Sequence, residues 1–524
     1  MKLNLKDTFN KELPADPILE NSRRQVPKSA FSIVKPRIPS HPTLIHVSPE
    51  VGDLLGISEA ELNSQEFLDI FSGSKLIKDA NPYAMAYAGH QFGNWAGQLG
   101  DGRAINLGEV VHNGNRWTMQ LKGSGETPYS RTADGLAVLR SSIREHLCSE
   151  AMFHLGVPTT RSLSLMLTGD NVMRDMLYDG NPALEKGAVV CRVAPSFIRF
   201  GNFQHFSANQ EVKHLRTLTE YTIRHFFPEI KSKGKEAYLE FYKTVLERTA
   251  NMVIDWQRVG FVHGVMNTDN MSILGLTIDY GPYGWLEGYD PGWTPNTTDR
   301  QGRRYRYGYQ PNVAYWNLMQ LGNALYPLIE DAAPLEDILN SYATIFTPNY
   351  LQMMKGKIGL FEEDTNDQQL IDDLEKMLTF TETDMTIFFR KLSDFEVELE
   401  IDLKGKYLDF IKDAFYDISG KKEIVASAWQ DWFEAYKVRL TKENMTAEER
   451  KKEMNKVNPK YVLRNYMAQL AIDAADEGDY SKVSELFELL KQPYAEQVEH
   501  EKWFAKRPEW ARNKVGCSML SCSS

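Results

Sequence analysis

Apolar residues recur along this chain with two different spacings, which divide it into a part with strands and a part made mostly of helices. Strand-like runs occupy residues 104–111 and 117–121, and the turn pair Asn113-Gly114 between them predicts a β-hairpin. A further buried strand is predicted at residues 188–194. Helical spacing predominates from about residue 312 to residue 494. The pattern therefore predicts an α+β fold whose C-terminal part is mainly helical.

The remaining segments have less regular patterns. The first 45 residues contain six prolines, which predicts an extended arm that wraps the surface rather than a domain. Residues 48–80 and 208–260 have helical spacing. Residues 282–311 are rich in glycine, proline and aromatic residues, and they are either an ordered loop that presents a substrate or an aromatic segment packed onto the core. The charge run at 448–453 is typical of a solvated helix face.

The second strand of the hairpin ends at Lys122, whose side chain is predicted to point away from the apolar face and into a cleft. The helix that follows is predicted to be capped by Asp134 or a neighbour and to run to Gly156, with Glu145 off its apolar stripe. A strand lysine followed about twenty residues later by a helix glutamate matches the ion pair that positions nucleotide phosphates in kinases. Glu150 is an alternative partner, and solvated surface charges are the simpler interpretation.

A glycine-rich segment at residues 87–103 precedes the hairpin. Glycines allow backbone N–H groups to approach a phosphate closely. The spacing matches neither the kinase pattern nor the P-loop pattern, so a structural loop rich in turns explains it at least as well.

The run from Val262 to Asn270 is the most informative motif. Asn270 and Asp279 are nine residues apart, and the residues between them predict two short strands that turn at Gly275. Such a hairpin would present an amide oxygen and a carboxylate side by side, which suits a hard cation such as Mg²⁺. Asp269 is expected at the rim of this site. A hairpin with a capping asparagine and a turn aspartate is the structural alternative.

The same run follows the spacing of a kinase catalytic loop and its metal-binding aspartate. His263, Asn270 and Asp279 fall on the histidine, the metal-binding asparagine and the Asp of Asp-Phe-Gly. Val265 falls where kinases have their catalytic aspartate. The pattern therefore keeps the metal site and lacks the usual base, and Asp269 is the only carboxylate close by.

Two arginines, Arg192 and Arg199, are embedded in apolar sequence. A buried guanidinium is costly unless it meets an anion, and its fork geometry favours phosphates and carboxylates. Nucleotide phosphates and structural ion pairs both remain open as partners.

The composition narrows the function further. The 524 residues carry a net charge of −11, which argues against a general nucleic-acid binder. The N-terminus lacks the apolar core of a signal peptide, and no run of about 18 apolar residues occurs, so we expect a cytoplasmic protein without membrane association. The four cysteines do not have the spacing of metal ligands.

Four runs together carry a closer resemblance, at residues 87–102, 121–131, 156–161 and 263–281. They resemble the selenoprotein O (YdiU) family of protein adenylyltransferases, and the resemblance extends from about residue 30 to the C-terminus. It implies a protein-kinase-like, two-lobed fold of the pseudokinase type, with a small sheet-containing N-lobe, a mainly helical C-lobe and extensions at both termini. It also implies AMPylation, in which ATP binds in a flipped orientation and AMP is transferred to Ser, Thr or Tyr hydroxyls of proteins, including possible self-modification.

The resemblance also assigns roles to individual residues. Nucleotide contacts are implied for Gly100, Gly102, Arg103, Lys122, Asp134, Gly135, Arg192, Arg199 and Asp279. Glu145 is expected to hold Lys122, and Asp269 is expected to accept the proton. Asn270 and Asp279 are expected to bind Mg²⁺ or Mn²⁺.

The family also has members with a redox latch between a cysteine after Asp-Tyr-Gly and one in the C-terminal tail. Here Pro295 stands where the first cysteine is expected, so a latch of that form is doubtful, although Cys517 and Cys522 remain available to pair with each other or with another thiol. A kinase-like phosphotransferase acting on a small molecule and a nucleotide-binding scaffold without turnover are the alternative functions.

The expected organisation has four units. They are an N-terminal arm with a helical extension (1–80), an N-lobe-like nucleotide-binding region (81–200), a C-lobe-like region with the metal-binding loop and an activation-like segment (201–345), and a helical C-terminal region with the cysteine-containing tail (346–524).

Overall fold

A computed structural model describes residues 1–397, 406–419 and 422–521. Its strands are β1 (Phe31–Ile33), β2 (Thr43–Val47), β3 (Tyr83–Met85), β4 (Ala88–Gln91), β5 (Asn94–Gln98), β6 (Ala104–His112), β7 (Asn115–Lys122), β8 (Ala137–Val138), β9 (Arg161–Arg174), β10 (Ala183–Ala194), β11 (Phe261–Val262) and β12 (Gly284–Trp285).

The helices of the first 330 residues are α1 (Thr8–Glu12), α2 (Pro49–Leu55), α3 (Glu59–Leu62), α4 (Gln65–Phe71), α5 (Leu139–His154), α6 (Phe200–Ala208), α7 (Val212–Phe226), α8 (Lys235–Val259) and α9 (Gln310–Ile329). They are followed by α10 (Ala333–Lys357), α11 (Asp367–Phe380), α12 (Met385–Leu392), α13 (Lys406–Ile411), α14 (Lys422–Leu440), α15 (Ala447–Val457), α16 (Asn465–Asp476) and α17 (Ser481–Leu490). Short 3₁₀ turns occur at Thr268–Asn270, Thr297–Asp299, Tyr307–Tyr309, Lys412–Ala414, Val498–Trp503 and Glu509–Ala511.

The fold is mixed α and β, with an antiparallel sheet in its N-terminal half and a helical C-terminal part, as the sequence predicts. Among the described residues, no helix combines the length and apolarity needed to span a bilayer.

The main sheet has eight strands, in the order β1-β3-β6-β7-β10-β9-β2, with β8 paired to β10. All of these pairings are antiparallel. The predicted hairpin is confirmed as β6 and β7, which pair directly. Its turn residues Asn113 and Gly114 have φ angles of 49° and 77°, the left-handed conformations that a type I′ turn requires. The strand predicted at 188–194 is the C-terminal half of β10.

The N-terminal arm does more than wrap the surface. Its residues form β1 and β2, which are the two edge strands of the sheet. The arm was predicted as extended from its prolines; β1 lies between Pro27 and Pro36, and β2 begins directly after Pro42. Backbone pairing with an existing sheet edge satisfies N–H and C=O groups that an isolated arm would leave to water.

The helix after the hairpin, α5, begins at Leu139 and not near Asp134. Its N-cap is Val138, and Asp134 instead accepts a hydrogen bond from the backbone N–H of Leu136 at 3.0 Å. The prediction of an Asp134 cap is therefore wrong, because residues 137–138 form β8 and hold the chain extended before the helix. The helix packs between the sheet and the helices α16 and α17, and nearly all of its residues are buried.

Two faces of the sheet support separate clusters of apolar side chains. Met119 and Leu121 of β7 pack with α2–α4 on one face. The opposite face contributes to the largest cluster, which joins residues from all four expected units, from Phe9 to Cys517. Lys122 follows Leu121 on β7 and therefore points away from the α2–α4 side.

Two further predictions concern packing. Most aromatic side chains of 282–311 are buried, including Tyr283, Trp285 and Tyr305, so this segment packs onto the core. The charge run lies on α15 as predicted and is mostly exposed, except that Arg450 is buried and donates to the carbonyl of Phe395.

A buried ion pair joins the start of α12 to the start of α16. Both carboxylate oxygens of Asp384 accept from Arg464, at 2.7 and 2.8 Å, and both residues are buried. Replacing Asp384→Ala leaves that guanidinium without its partner, so we expect the free energy of unfolding to fall by about 3–5 kcal/mol in urea denaturation. Asp394→Ala removes the exposed pair with Lys451 and should cost less than about 1 kcal/mol. Equal losses in the two variants would contradict this assignment.

Candidate active site

A cavity of about 740 Å³ lies between the sheet and the segment 265–282. Residues from seven parts of the chain line it: the β4–β5 hairpin, the loop after β5, the end of β7, the loop before β8, the end of β9 with the loop after it, Arg192 near the end of β10, and the 3₁₀ turn Thr268–Asn270 with its continuation. Of the predicted site residues, those that line the cavity are Gly100, Gly102, Arg103, Lys122, Asp134, Gly135, Arg192, Asp269, Asn270 and Asp279.

Two predicted residues, Glu145 and Arg199, lie behind this lining. Glu145 is buried on α5, with its Oε2 2.6 Å from Lys122 Nζ and its Oε1 3.1 Å from Arg192 Nη1. Burial lowers the pKa of Lys122, and the neighbouring carboxylate of Glu145 opposes that effect. Glu150, the alternative partner, instead holds Arg161 through contacts of 2.8 and 2.7 Å. The glutamate that contacts Lys122 is therefore Glu145.

Asp279 is held by two arginines. Arg192 Nη1 donates to its Oδ1 at 2.5 Å, and Arg199 donates to its Oδ2. Burial opposes ionisation of this carboxyl, but Arg199 and Arg192 hold its pKa well below the usual range. The φ of Asp279 is 58°, an uncommon conformation for a residue other than glycine. The ion pairs keep the carboxylate charged and directed at the cavity despite that backbone cost.

The predicted hairpin between Asn270 and Asp279 is not formed. Ser272 pairs with Arg199 and Thr277 pairs with Thr159, so each short run bridges to a neighbouring segment instead of to the other run. The turn at Gly275 is present, with a φ of 70°. Tertiary pairing replaces the local pairing because the neighbouring backbones offer the same hydrogen bonds within a packed core. Asn270 and Asp279 nevertheless line the same cavity.

Asp269 lies in the cavity wall rather than at its rim, with only 7% of its surface exposed. Its Oδ2 accepts from Gln91 Nε2 at 3.2 Å, whereas its Oδ1 has no hydrogen-bond partner in the described part of the chain. Burial raises the pKa of this carboxyl to about 6. A carboxylate with one unused oxygen and a pKa near neutrality is suited to accept a proton from a bound group.

The glycine-rich segment folds as the β4–β5 hairpin and docks on the 3₁₀ turn that carries Asp269. The backbone N–H of His90 donates to Thr268 Oγ1 at 2.7 Å, and that of Phe92 donates to Asn267 Oδ1 at 3.1 Å. A Cβ at Gly89 would lie 2.7 Å from Thr268 Oγ1, so this close approach requires glycine. The hairpin thereby positions Gln91 against Asp269.

Several lining residues were not identified from the sequence. They are Gln91, Asn267, Arg131, Arg174 and Tyr178. Arg174 on β9 binds both carboxylate oxygens of Asp134, at 2.7 and 2.8 Å. Only the pairing of β9 with β10 brings this arginine near Asp134, and β9 itself was not predicted. No local sequence pattern could have identified it.

The donor set at Asn270 and Asp279 fits a hard cation. No cluster of three or more His, Cys, Asp or Glu side chains that could hold a metal occurs among the described residues. Mg²⁺, however, often uses only one or two protein ligands together with substrate phosphates. Asn270 donates its amide nitrogen to the carbonyl of Val265 at 2.9 Å, which leaves its amide oxygen as the ligand atom, and the Asp279 carboxylate is charged and lines the same cavity.

The C-terminal tail lies against the segment that contains Pro295. The backbone N–H of Leu520 donates to the carbonyl of Pro295 at 3.0 Å. Cys517 is a buried free thiol whose pKa is raised to about 11 by burial. Cys522 lies outside the described residues, so its predicted availability for pairing stays a prediction. Backbone hydrogen bonds, rather than a thiol, make the contact at Pro295.

Comparison with known proteins gives a consistent result. The family model described as protein adenylyltransferase SelO matches residues 18–491. Relatives named protein nucleotidyltransferase YdiU include one from Flavobacterium johnsoniae, which is 62% identical over 522 residues and covers 100% of this chain and 99% of its own length. One from Rhodopirellula baltica is 55% identical over 537 residues, and one from Aromatoleum aromaticum is 54% identical over 529 residues, with the same coverage of 100% and 99%.

These matches and the cavity define the class of protein as a nucleotidyltransferase. The chain belongs to the SelO family of protein adenylyltransferases.

The environment of Asp269 has a measurable consequence for stability. With a folded-state pKa of about 6 against an ordinary value of 3.8, burying the charged form costs up to about 3 kcal/mol at pH 8. This raised pKa means that Asp269 holds its proton more tightly in the folded state than in the unfolded state. The contribution of Asp269 to the unfolding free energy is therefore fully present below about pH 3.8 and is lost as the pH rises through about 6. Asp269→Asn should therefore raise the unfolding free energy at pH 8, with about half that gain at pH 5. A gain that does not depend on pH would contradict the raised pKa.

Proposed function

We propose that this enzyme transfers AMP from ATP to the hydroxyl groups of Ser, Thr or Tyr side chains in proteins and releases pyrophosphate. We further propose that it does so in a kinase-like, two-lobed arrangement with ATP in a flipped orientation. Membership of the SelO family supports the reaction. The cavity between an antiparallel sheet with helix α5 and a mainly helical region supports the two-lobed interpretation.

The observation that carries the proposal is the position of the free carboxylate oxygen. Val265, at the place of the kinase catalytic aspartate, lines the cavity but cannot accept a proton. Asp269 supplies an unpaired Oδ1 in the same cavity. The proposed base, Asp269, is thus displaced along the chain from the position of Val265. Such a displacement is expected if ATP is flipped, because the phosphorus that reacts then occupies a different place in the cavity from that in kinases.

The proposed chemistry follows from these positions. The acceptor hydroxyl oxygen attacks the α-phosphorus, its proton passes to Asp269 Oδ1, and the bond between the α-phosphorus and the bridging oxygen breaks so that pyrophosphate leaves. Lys122, Arg192 and Arg103 provide positive charge along the cavity, where it offsets the charge that develops on the leaving phosphates. Arg199 acts from behind the lining by holding Asp279 and, through Nη1, the carbonyl of Asp269 at 2.7 Å.

Asn270 and Asp279 would hold the divalent cation, Mg²⁺ or Mn²⁺. When bound, it would neutralise charge on the triphosphate. The pairing of Asp279 with two arginines keeps this ligand ionised before any cation arrives.

Labelled ATP tests the reaction. With Mg²⁺ or Mn²⁺ present, label from the α-phosphate should become bound to protein, including the enzyme itself, whereas label from the γ-phosphate should not. Lys122→Ala and Asp279→Asn should each reduce α-label incorporation by about 100-fold or more, because the first removes a positive charge beside the phosphates and the second removes the charged ligand of the divalent cation. Lys213→Ala, at an exposed lysine of α7, should incorporate label as wild type does. Incorporation from the γ-phosphate alone would instead establish a phosphotransferase, and ATP binding without any transfer would establish a scaffold.

The rate of AMP transfer should depend on pH through Asp269. Because burial raises its pKa to about 6, the carboxylate is free to accept a proton above that pH and is protonated below it. We expect the rate to be constant above about pH 7 and to fall as the pH drops through 6. Asp269→Asn should lower the rate by about 100-fold or more and remove this pH dependence. An unchanged pH profile in that variant would exclude Asp269 as the proton acceptor.

A further inference from the structure

Arg304 lies in the aromatic segment 282–311, beside the tip of the β4–β5 hairpin. A Cβ at Gly93 would lie 3.4 Å from its Cζ and Nη1, so the guanidinium is packed directly against the backbone of the hairpin tip. It also lies 4.6 Å from the ring centre of Trp316 and 5.9 Å from that of Tyr305. These contacts hold the charged group in a fixed position.

This guanidinium forms no close ion pair in the described part of the chain, and its electrostatic interactions there include those with Asp299 and Tyr305. Its Nε and Nη2 are shielded from solvent and have no hydrogen-bond partner there, and no carboxylate lies within ion-pair distance. Asp299, the nearby acid of the same segment, accepts instead from the backbone N–H groups of Arg304 and Tyr305, at 3.0 and 2.7 Å. Shielded nitrogens without a hydrogen-bond partner are costly, and in a chain with a net charge of −11 the absence of an ion pair at Arg304 among the described residues requires an explanation.

Aromatic groups surround the unpaired charge. The His90 ring lies 5.0 Å from that of Trp95 and 5.3 Å from that of Trp316. Burial and the Arg304 cation both lower the pKa of His90, so this ring stays neutral and leaves Arg304 as the cation of the group. Trp95 is 46% exposed and adds an apolar surface beside His90. We call Arg304, His90, Trp95 and Trp316 the Arg304 cluster.

The Arg304 cluster adjoins the proposed base but does not line the nucleotide cavity. Gln91, next to His90, contacts Asp269, and Tyr305, next to Arg304, donates to Asn267 Oδ1 at 2.5 Å. The anion that fits Arg304 is therefore not supplied by ATP within that cavity. Any anion that meets Arg304 would come from outside that cavity.

We propose that the Arg304 cluster is a docking subsite for a negatively charged side chain of the protein substrate, close in sequence to the hydroxyl that is modified. Arg304, whose side chain is partly exposed, supplies the positive charge and the hydrogen-bond donors for the anion, and Trp95 covers the adjoining apolar surface. A carboxylate and a phosphorylated side chain have the same chemistry for this purpose. The subsite rests on the proposed function, since it selects among protein acceptors.

A peptide library tests the subsite. Peptides with one central Ser, Thr or Tyr and variable flanking positions are incubated with ATP and the divalent cation, and AMP-modified products are identified by mass spectrometry. Wild type should favour Asp, Glu or phosphoserine over Asn, Gln or serine at one or more flanking positions by about tenfold in kcat/KM, the effect of one charge-assisted hydrogen bond. Comparing aspartate with phosphoserine at the preferred position identifies which anion the subsite takes.

Variants separate charge recognition from structure. Arg304→Gln should lose the acidic preference to within about twofold, and Arg304→Lys should retain part of it, because only the charge is kept. Arg300→Gln removes the same charge at an exposed arginine of the same segment and should keep the wild-type preference. ATP affinity should be the same in all four proteins, since Arg304 does not line the nucleotide cavity.

The outcomes are distinct. Modified peptides without any acidic preference, or an acidic preference that survives in Arg304→Gln, would overturn the subsite and leave the adenylyltransferase proposal intact. Absence of AMP transfer to every peptide and to the enzyme itself, despite ATP binding, would overturn the proposed function and the subsite with it.

Discussion

The site depends on one buried network of charges. Glu145 on α5 holds Lys122 at the end of β7 and Arg192 on β10, and Arg192 shares Asp279 with Arg199 at the start of α6. Each of these charges would be expensive to bury alone, and each is tolerated because the next one compensates it. The network therefore links the sheet, the helix behind it and the segment with the proposed metal ligands, so their relative positions cannot change independently.

Two groups outside this network keep polar atoms unpaired, and both contact the β4–β5 hairpin. Asp269 keeps one carboxylate oxygen unpaired, and Arg304 keeps two guanidinium nitrogens unpaired. Asp384 and Arg464 satisfy each other, whereas Glu287 and Arg450 each also keep one atom unpaired. Unsatisfied polar groups that persist in a well-packed protein are often explained by a partner that binds later. Here one group is suited to take a proton and the other to meet an anion.

Several local features followed directly from the order of residues. The β6–β7 hairpin was predicted from its Asn-Gly turn, and the exposed surface of α15 from its charges, because each depends on neighbours in sequence. Predictions from neighbouring residues failed where the backbone of a segment could pair either locally or with a distant part of the chain. Residues 271–278 pair with Arg199 and Thr159 rather than with each other, and residues 137–138 join the sheet instead of letting Asp134 cap a helix. The arm at the N-terminus gained strands only because a sheet edge was there to accept them.

The sequence by itself determined the class of fold and the residues that carry charge near the site, since turn chemistry, apolar spacing and the long motifs are local properties. Tertiary structure alone decided which of those charges meet. Arg199 reaches Asp279 from behind, Gln91 reaches Asp269 across 178 positions of the chain, and Arg304 forms no close ion pair with any described residue. Long-range packing sets these distances, and with them the burial that raises the pKa of Asp269, because desolvation depends on every element around a group and not on its neighbours in sequence.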